Sequence, residues 1–376
     1  MAKVNPRVAV TKCLDYSIEE TTQRLRQALD RLGGMASFVN RGDKVLLKPN
    51  LLMAVEPERA ITTHPELLRA TILLLREAGV EKIYIGDCPS NWGKPERIRE
   101  VYQRTGINKV AQEENVELVE LRSGSLRNGL PLATFLDYVD KVISLPKFKT
   151  HELMVMTGAV KNLFGLIPGL YKTEMHKRYF PADRFAVRLV DIYQAVRPCL
   201  NIVDAIEGLE GDGPGRKGAP RHIGLIIAGE NAAAVDMIIA RIMGLGPQEV
   251  PTIKECIRRG LPPLRREDID VLGEDVGDVA CAAFKLPQPS MIYRIPRSLF
   301  DILHRGISYW PQVNQGICNG CRRCREICPA KVITVEKKAR INLKGCIKCF
   351  CCSEVCPRGA IATKKSLLAR LLGLRG

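Results

Sequence analysis

One cysteine pattern occurs twice near the carboxyl end, and nothing else in the sequence constrains the chain as tightly. The first copy runs Cys318-x2-Cys321-x2-Cys324-x3-Cys328-Pro329; the second, 28 residues on, runs Cys346-x2-Cys349-x2-Cys352-x3-Cys356-Pro357. The residues after each copy also correspond, Ala330-Lys331-Val332-Ile333 beside Arg358-Gly359-Ala360-Ile361. Nine of the 14 cysteines fall between Cys318 and Cys356, whereas Cys13, Cys88, Cys199, Cys256 and Cys281 are scattered singly. Disulfide frameworks belong to short secreted chains. This chain has 376 residues, and Met1 to Arg7 carry no apolar leader segment, so a cytoplasmic setting is expected. Clustered thiols in such a chain read as metal ligands. The scattered five read as small buried hydrophobes, with Cys88 the one placed in a loop at a strand end.

The doubled run resembles that of bacterial-type ferredoxins at all eight cysteines, and the resemblance implies two 4Fe–4S clusters. Three thiolates two residues apart wrap a tight loop around three corners of a cubane. The fourth, followed by proline, leaves in another direction and reaches the neighbouring cluster. Cluster one would then use Cys318, Cys321, Cys324 and Cys356, and cluster two Cys346, Cys349, Cys352 and Cys328. Zinc is the competing occupant, but its sites take paired cysteines and need no doubled run of four. Cys351 is a ninth thiol that breaks both spacings, so it is expected beside the ligands, not among them.

The formal charge is +16, and between Pro311 and Thr363 there are ten Lys/Arg against three Asp/Glu. Two oxidised clusters on eight thiolates would add about −2 each, leaving the module slightly basic. That suits an acidic redox partner protein or an anionic small molecule. No nucleic-acid motif or interleaved aromatic stripe supports nucleic acid. No run of about 18 apolar residues suggests a membrane-spanning helix.

Upstream of the module, short β-rich runs alternate with helical stretches. Strands are expected at Val45–Lys48, Lys82–Asp87, Val116–Leu121, Lys141–Leu145, Leu200–Ala205 and His222–Ala228. Helices are expected near Ile18–Leu32, from His64-Pro65 to Gly79, Pro95–Arg104, Arg184–Val196, Ala232–Met243 and Pro251–Arg259. This alternation predicts an α/β domain with a largely parallel sheet. The expected division is residues 1–285 for that domain and 286–316 for an apolar, proline-punctuated connector with a short helix around Arg297–His304. Residues 317–363 would form an α+β two-cluster domain, and 364–376 a basic amphipathic tail helix.

Lys48, Asn50, Asp87, Lys147, Lys149, His151 and Asp204 all fall just after expected strands, where open α/β sheets bind ligands. The densest text is Lys147-Phe148-Lys149-Thr150-His151 followed by Thr157-Gly158-Ala159-Val160-Lys161-Asn162. Lys147, Lys149 and Lys161 could supply charge to an anionic ligand, His151 a proton or a metal bond, and Asn162 a hydrogen bond. Gly211, Gly213 and Gly215 could bring backbone N–H groups close to it. The bland alternative is solvated lysines and a glycine loop. That glycine run matches neither nucleotide-binding pattern. His64 is expected to start a helix, His176 and His304 to lie on the surface, and Asp236 to cap or line the pocket. No hydrolase triad order appears.

These motifs together resemble the family known as domain of unknown function 362, here joined to a ferredoxin-type domain. The text that carries the resemblance is Lys48-Pro49-Asn50, His64-Pro65, Gly86-Asp87, Lys147/Lys149/His151, Thr157 to Asn162 with Gly165, Asp204 with Glu207-Gly208, Gly213-Pro214 and Asp236. It implies an iron–sulfur protein of this architecture without naming a substrate. Three roles follow as expectations. The chain is an electron-transfer protein serving a site or partner of its α/β domain, a reductase acting on an anionic molecule near Lys147–His151, or a non-catalytic assembly protein. Roughly 280 residues beyond what a carrier needs favour a specific acceptor.

Overall fold

The computed structural model describes residues 5–89, 95–169, 171–179, 182–281, 283–287 and 309–367. In chain order the α/β domain contains β1 (Arg7–Lys12), α1 (Ile18–Arg31), β2 (Lys44–Pro49), α2 (Pro65–Glu77), β3 (Lys82–Gly86), α3 (Pro95–Arg104), α4 (Ile107–Glu113), β4 (Glu117–Val119), β5 (Gly124–Arg127) and β6 (Leu130–Ala133). There follow β7 (Lys141–Leu145), β8 (Lys147–His151), β9 (Val155–Met156), α5 (Gly158–Asn162), α6 (Tyr171–Tyr179), α7 (Ala182–Val196), β10 (Leu200–Gly211), β11 (Gly218–Gly229), α8 (Ala232–Ile242), α9 (Pro251–Arg258) and β12 (Asp270–Gly273).

The sheet order is β12-β1-β11-β10-β7-β2-β3-β4, with β8 and β9 branching from β10. Strands β10, β7, β2, β3 and β4 run parallel, whereas β11 is antiparallel to both β10 and β1. This is a mostly parallel mixed sheet, and its strand text shows why it is covered on both faces. In β2, Val45 and Leu47 enter one core while Leu46 enters the other; in β3, Ile83 and Ile85 oppose Tyr84 in the same way. This period of two divides the helices. Leu25, Leu67, Ile72, Val101 and Val110 of α1 to α4 fill one layer. Val160, Phe185, Leu189, Val235 and Ile253 of α5, α7, α8 and α9 fill the other.

Local chemistry sets the helix ends. Pro65 occupies the first turn of α2, where its missing N–H costs nothing, and His64 Nδ1 accepts from Glu66 N at 3.2 Å. At α8, Asn231 Oδ1 accepts from Ala234 N at 2.9 Å. The wholly buried Asp236 caps α5 instead of lining a pocket, accepting from Ala159 N at 2.5 Å and Val160 N at 3.2 Å.

Several elements are longer or additional. Strands β10 and β11 form a hairpin of 12 residues each, with a register break between Ala205 and Glu207. That break lets one strand pair with β7 through Leu200 and Asn201, then with β8 through Asp204 and Leu209. Its charged and glycine positions (Asp204, Glu207, Gly208, Glu210) hide the strand in the sequence. Hairpin β5–β6 turns at Asn128 and Gly129, both with positive φ (51° and 74°), the Asn-Gly signature of a two-residue turn.

The carboxyl-terminal module holds the short helices Arg323–Ile327 and Cys351–Glu354, and Ile333–Val335 pairs antiparallel with Ala339–Ile341. Tyr309–Val313, expected in the connector, pairs antiparallel with Ile361–Lys365 and closes the module. Lys364 and Lys365 are therefore strand, not tail helix. The connector helix at 297–304, His304 and residues 368–376 of the tail lie outside the described residues.

Gly165 sits where a Cβ would meet Asp87 Oδ1 and, at 2.5 Å, Lys48 Nζ. Replacing it with alanine must push apart a buried ion pair. Gly165→Ala is therefore expected to cost about 3–5 kcal/mol of unfolding free energy, the loss typical of a broken buried pair, measured by urea titration of the reconstituted protein.

Candidate functional site

Three of the largest wholly buried side chains are lysines: Lys48, Lys147 and Lys149. Each must find partners, because an unpaired buried ammonium is several kcal/mol out of balance. Lys48 Nζ lies 2.9 Å from Asp87 Oδ1 and donates to Pro49 O at 2.7 Å and Asn162 Oδ1 at 3.1 Å. Asn50 Nδ2 donates to the same Asn162 oxygen at 2.8 Å, and Asn50 Oδ1 accepts from Lys149 Nζ at 2.6 Å. Lys149 completes its set with Ile61 O at 2.7 Å. Strand ends β2, β3 and β8 and helix α5 are thus stitched into one chain, Asp87–Lys48–Asn162–Asn50–Lys149.

Lys147, expected beside Lys149, is elsewhere. Its Nζ lies 2.8 Å from Asp204 Oδ2 and 2.9 Å from the Tyr16 hydroxyl, which donates to Asp204 Oδ1 at 2.6 Å. Tyr16 stacks on His64 at 3.6 Å between ring centroids, and His64 N donates to Asp204 Oδ2 at 2.8 Å. These groups satisfy one another. The fit is that of a structural pair.

The first network borders a cavity of about 70 Å³ between the two domains. From the α/β side come Lys48, Asn50, Asp87, Cys88, Lys149, Thr157, Lys161, Asn162, Lys172 and His176; from the cysteine module come Ile327, Cys351, Glu354 and Val355. His176, expected on the surface, is buried: it stacks on Phe185 at 4.5 Å and meets Phe164 edge-on at 5.4 Å. Helix α6 carries it one turn beyond Lys172, whose Nζ donates to Cys88 O. The glycine run does not form an anion cradle. Gly211 N donates to Lys285 O, and Gly213 N to Gly211 O and Thr150 Oγ1. Gly215 instead lets the hairpin tip approach the Glu354 backbone.

His151 reaches the module from below. Its Nδ1 accepts from Leu153 N at 3.1 Å and Met154 N at 3.2 Å, which leaves Nε2 as the protonated nitrogen, 3.2 Å from Glu354 Oε1. Burial first, then the neighbouring Lys161, hold the His151 imidazole down at about 4, so it is neutral at pH 7. Burial alone would raise the Glu354 carboxyl, but His151 and Lys161 outweigh it and hold it at about 2. Burial lowers Lys161 to about 8, still mostly protonated at neutral pH, and lowers Lys149 well below an ordinary lysine, with Lys161 adding to the effect. Among the described residues Lys161 Nζ has no hydrogen-bond or ion-pair partner.

Three more contacts join the domains. Glu152 Oε1 takes Lys217 Nζ at 3.1 Å and the Thr363 hydroxyl at 2.6 Å. Arg97 pairs with Glu326 at 2.6 Å, and Arg323 lies 3.7 Å from Glu100.

The eight repeated cysteines are all free thiols. Cys318, Cys321, Cys324 and Cys356 line one cavity in the module. After burial, Cys321, Cys356 and Cys318 are the neighbours that raise the Cys324 thiol. Cys346 feels Cys349 and Cys328, and Cys352 feels Cys349 and Cys346 ahead of Cys324 and Cys328. Such groups of thiols fit 4Fe–4S clusters. Among the described residues no three His, Cys, Asp or Glu side chains converge closely enough to hold a single metal ion.

Sequence reasoning missed Thr157 as a lining group, Lys172, His176 and Glu354. Lys172 and His176 stand four apart on α6, a helix whose signal is weak in the sequence. Glu354 has a clearer marker: it occupies the place in the second cysteine run that Glu326 holds in the first, two residues after Cys352 and Cys324 respectively. A stability contrast separates the two lysine environments. Lys147→Met, which strands Asp204 as a buried charge, is expected to lower the unfolding free energy by about 3–5 kcal/mol. Lys161→Met removes no partner and is expected to stay within about 1 kcal/mol of the parent, both by urea titration.

Residues 45–241 match the family described as Domain of unknown function (DUF362), and residues 311–357 match a 4Fe-4S dicluster domain. A thylakoid-associated protein of Synechocystis sp. is 38% identical over 267 residues, covering 69% of this chain and 81% of the relative. A crystal structure of a Thermotoga maritima protein superposes with a TM-score of 0.36 at 14% identity, covering 57% of this chain and 56% of its own. The lactate racemase apoprotein from Thermoanaerobacterium thermosaccharolyticum gives a TM-score of 0.36 at 14% identity, covering 64% of this chain and 57% of its own. The chain spans little more than half the length of those two solved structures. The chain therefore belongs to the DUF362 family, with a carboxyl-terminal 4Fe–4S ferredoxin-type domain suited to iron–sulfur electron transfer.

Proposed function

We propose that the chain is a redox protein carrying two 4Fe–4S clusters, whose electrons serve a small ligand held in the interdomain cavity. The observation that carries this reading is the composition of the cavity wall: lysines from the α/β strand ends face Cys351, Glu354 and Ile327, each adjacent to or between cluster-ligand cysteines. The ligand sets are Cys318, Cys321, Cys324 and Cys356 for one cluster and Cys346, Cys349, Cys352 and Cys328 for the other. Such clusters, when bound, exchange single electrons at potentials set by charge, hydrogen bonding and exposure.

The chain's own residues supply the rest. Lys149 and Lys161 attract an anion, Asn50, itself held by Asn162, fixes the Lys149 ammonium, and the neutral His151 sets its Nε2 3.2 Å from Glu354 Oε1. Packing of the module against the lysines shields the cavity in part from bulk water, which strengthens these interactions. A plain carrier would need none of this. In the module Cys321 is exposed, and so are Arg322, Arg325, Lys337, Lys338, Arg340 and Lys344. This basic surface suits an acidic redox partner protein. Fourteen free cysteines fit a reducing, cytoplasmic setting; no described helix is long and apolar enough to cross a membrane.

Two measurements test the reading. Anaerobically reconstituted protein is expected to hold eight irons per chain. Cys356→Ser and Cys324→Ser should perturb the same cluster in electron paramagnetic resonance, and Cys351→Ala should leave the iron content unchanged. Stoichiometric zinc, or loss of different clusters in the first two variants, would refute the ligand sets. In stopped flow, Lys149→Ala/His151→Ala should abolish ligand-dependent reoxidation of the reduced protein while its irons remain. Parent protein that no small anion reoxidises would reduce the chain to a carrier.

A further inference from the structure

Deepening that reading, we infer that the interdomain cavity takes a small monoanion of about five heavy atoms, with acceptor oxygens at one end and an O–H donor at the other. Size sets the first limit. A water needs about 10–15 Å³ of such space, so a cavity of about 70 Å³ holds about five waters or a ligand of similar atom count.

Charge sets the second limit. The Lys48 and Asp87 charges offset each other. Leaving aside Lys149, whose ammonium burial disfavours, Lys161 and Lys172 still outnumber Glu354 among the charged groups on the wall. Lys149 has three N–H groups when protonated, and two are used by Asn50 and Ile61. The cavity thus has surplus donors and surplus positive charge, which an anion meets.

Orphaned atoms set the third. Thr157 Oγ1, His176 Nδ1 and Glu354 Oε1 belong to residues that line this cavity and are only 2%, 6% and 9% exposed, and none accepts or donates an aligned hydrogen bond; the Glu354 oxygen has His151 Nε2 at 3.2 Å, but the two atoms do not complete one. Buried polar atoms are nearly always paired, so three orphans around one space mark it as built for an occupant. The Glu354 oxygen accepts only. A ligand that answers it must bring a hydrogen, while its anionic oxygens answer Lys161, Lys149 and Thr157.

Glycolate, acetate and acetamide separate these requirements: the first has charge and hydroxyl, the second only charge, the third neither. Isothermal titration of the cluster-reconstituted full chain, without reductant, should show glycolate binding about tenfold tighter than acetate, and acetate at least tenfold tighter than acetamide. Lys161→Met should weaken glycolate at least tenfold, and Thr157→Val should weaken it with iron content and visible spectrum unchanged. Acetamide binding as well as acetate, no difference between glycolate and acetate, indifference to Lys161→Met, or no binding of any probe would overturn the inference. The electron-acceptor reading fails separately. Glyoxylate, the reducible carbonyl counterpart of glycolate, leaving reduced clusters untouched while glycolate still binds through Lys161 removes the redox role and keeps the site.

Discussion

Ammonium groups buried at the ends of parallel strands set the terms for the rest of the α/β domain. Water solvates such a group so well that the interior accepts it only with dedicated partners. Lys147 receives a carboxylate and a phenol and becomes inert. Lys48 receives Asp87. Lys149 receives only neutral oxygens, from Asn50 and Ile61, so its charge is the least compensated of the three. This unequal allotment divides that end of the sheet into a sealed side and an open one.

The loops around the open side are held with little slack. Val155, a β-branched residue, adopts a φ of 69°, a conformation that costs energy and persists only where the surroundings enforce it. The turn it makes returns the chain from β8 to Thr157 and into α5. Gly158, with a φ of 63°, lies so close to the Asp236 carboxylate that a Cβ would overlap it. Burial raises the Asp236 carboxyl to about 7, a sign of how fully this capped turn is shut from solvent.

Much of this was legible in the sequence. Alternation of Val45, Leu46 and Leu47 foretold a strand buried on both faces, and the polar residues after Lys48, Gly86 and Leu145 foretold which strand ends would border the cavity. The single-residue reading of Lys147 failed because a sequence does not show that Asp204, 57 positions away, comes within reach only once β8 lies beside β10. His176 failed for a related reason. Its neighbours Phe164 and Phe185 belong to two other elements, and only their convergence turns a histidine in a polar helix into a buried one. The hairpin β10–β11 was underestimated because glycine and acidic residues disguise a strand whose polar groups are satisfied by tertiary contacts.

The module's internal repeat has a different consequence. Its two halves place corresponding acids, Glu326 and Glu354, and corresponding aliphatic residues, Ile327 and Val355, against one scaffold that has no matching symmetry. Glu326 meets an arginine at the rim, Glu354 a histidine in the interior. A duplicated object clamped by an unduplicated one loses its equivalence: the first half gives the cavity only Ile327 and carries the exposed Cys321, whereas the second gives it Cys351, Glu354 and Val355. Two runs with one spacing therefore come to rest in unlike surroundings, an inequality that neither carries in its own text.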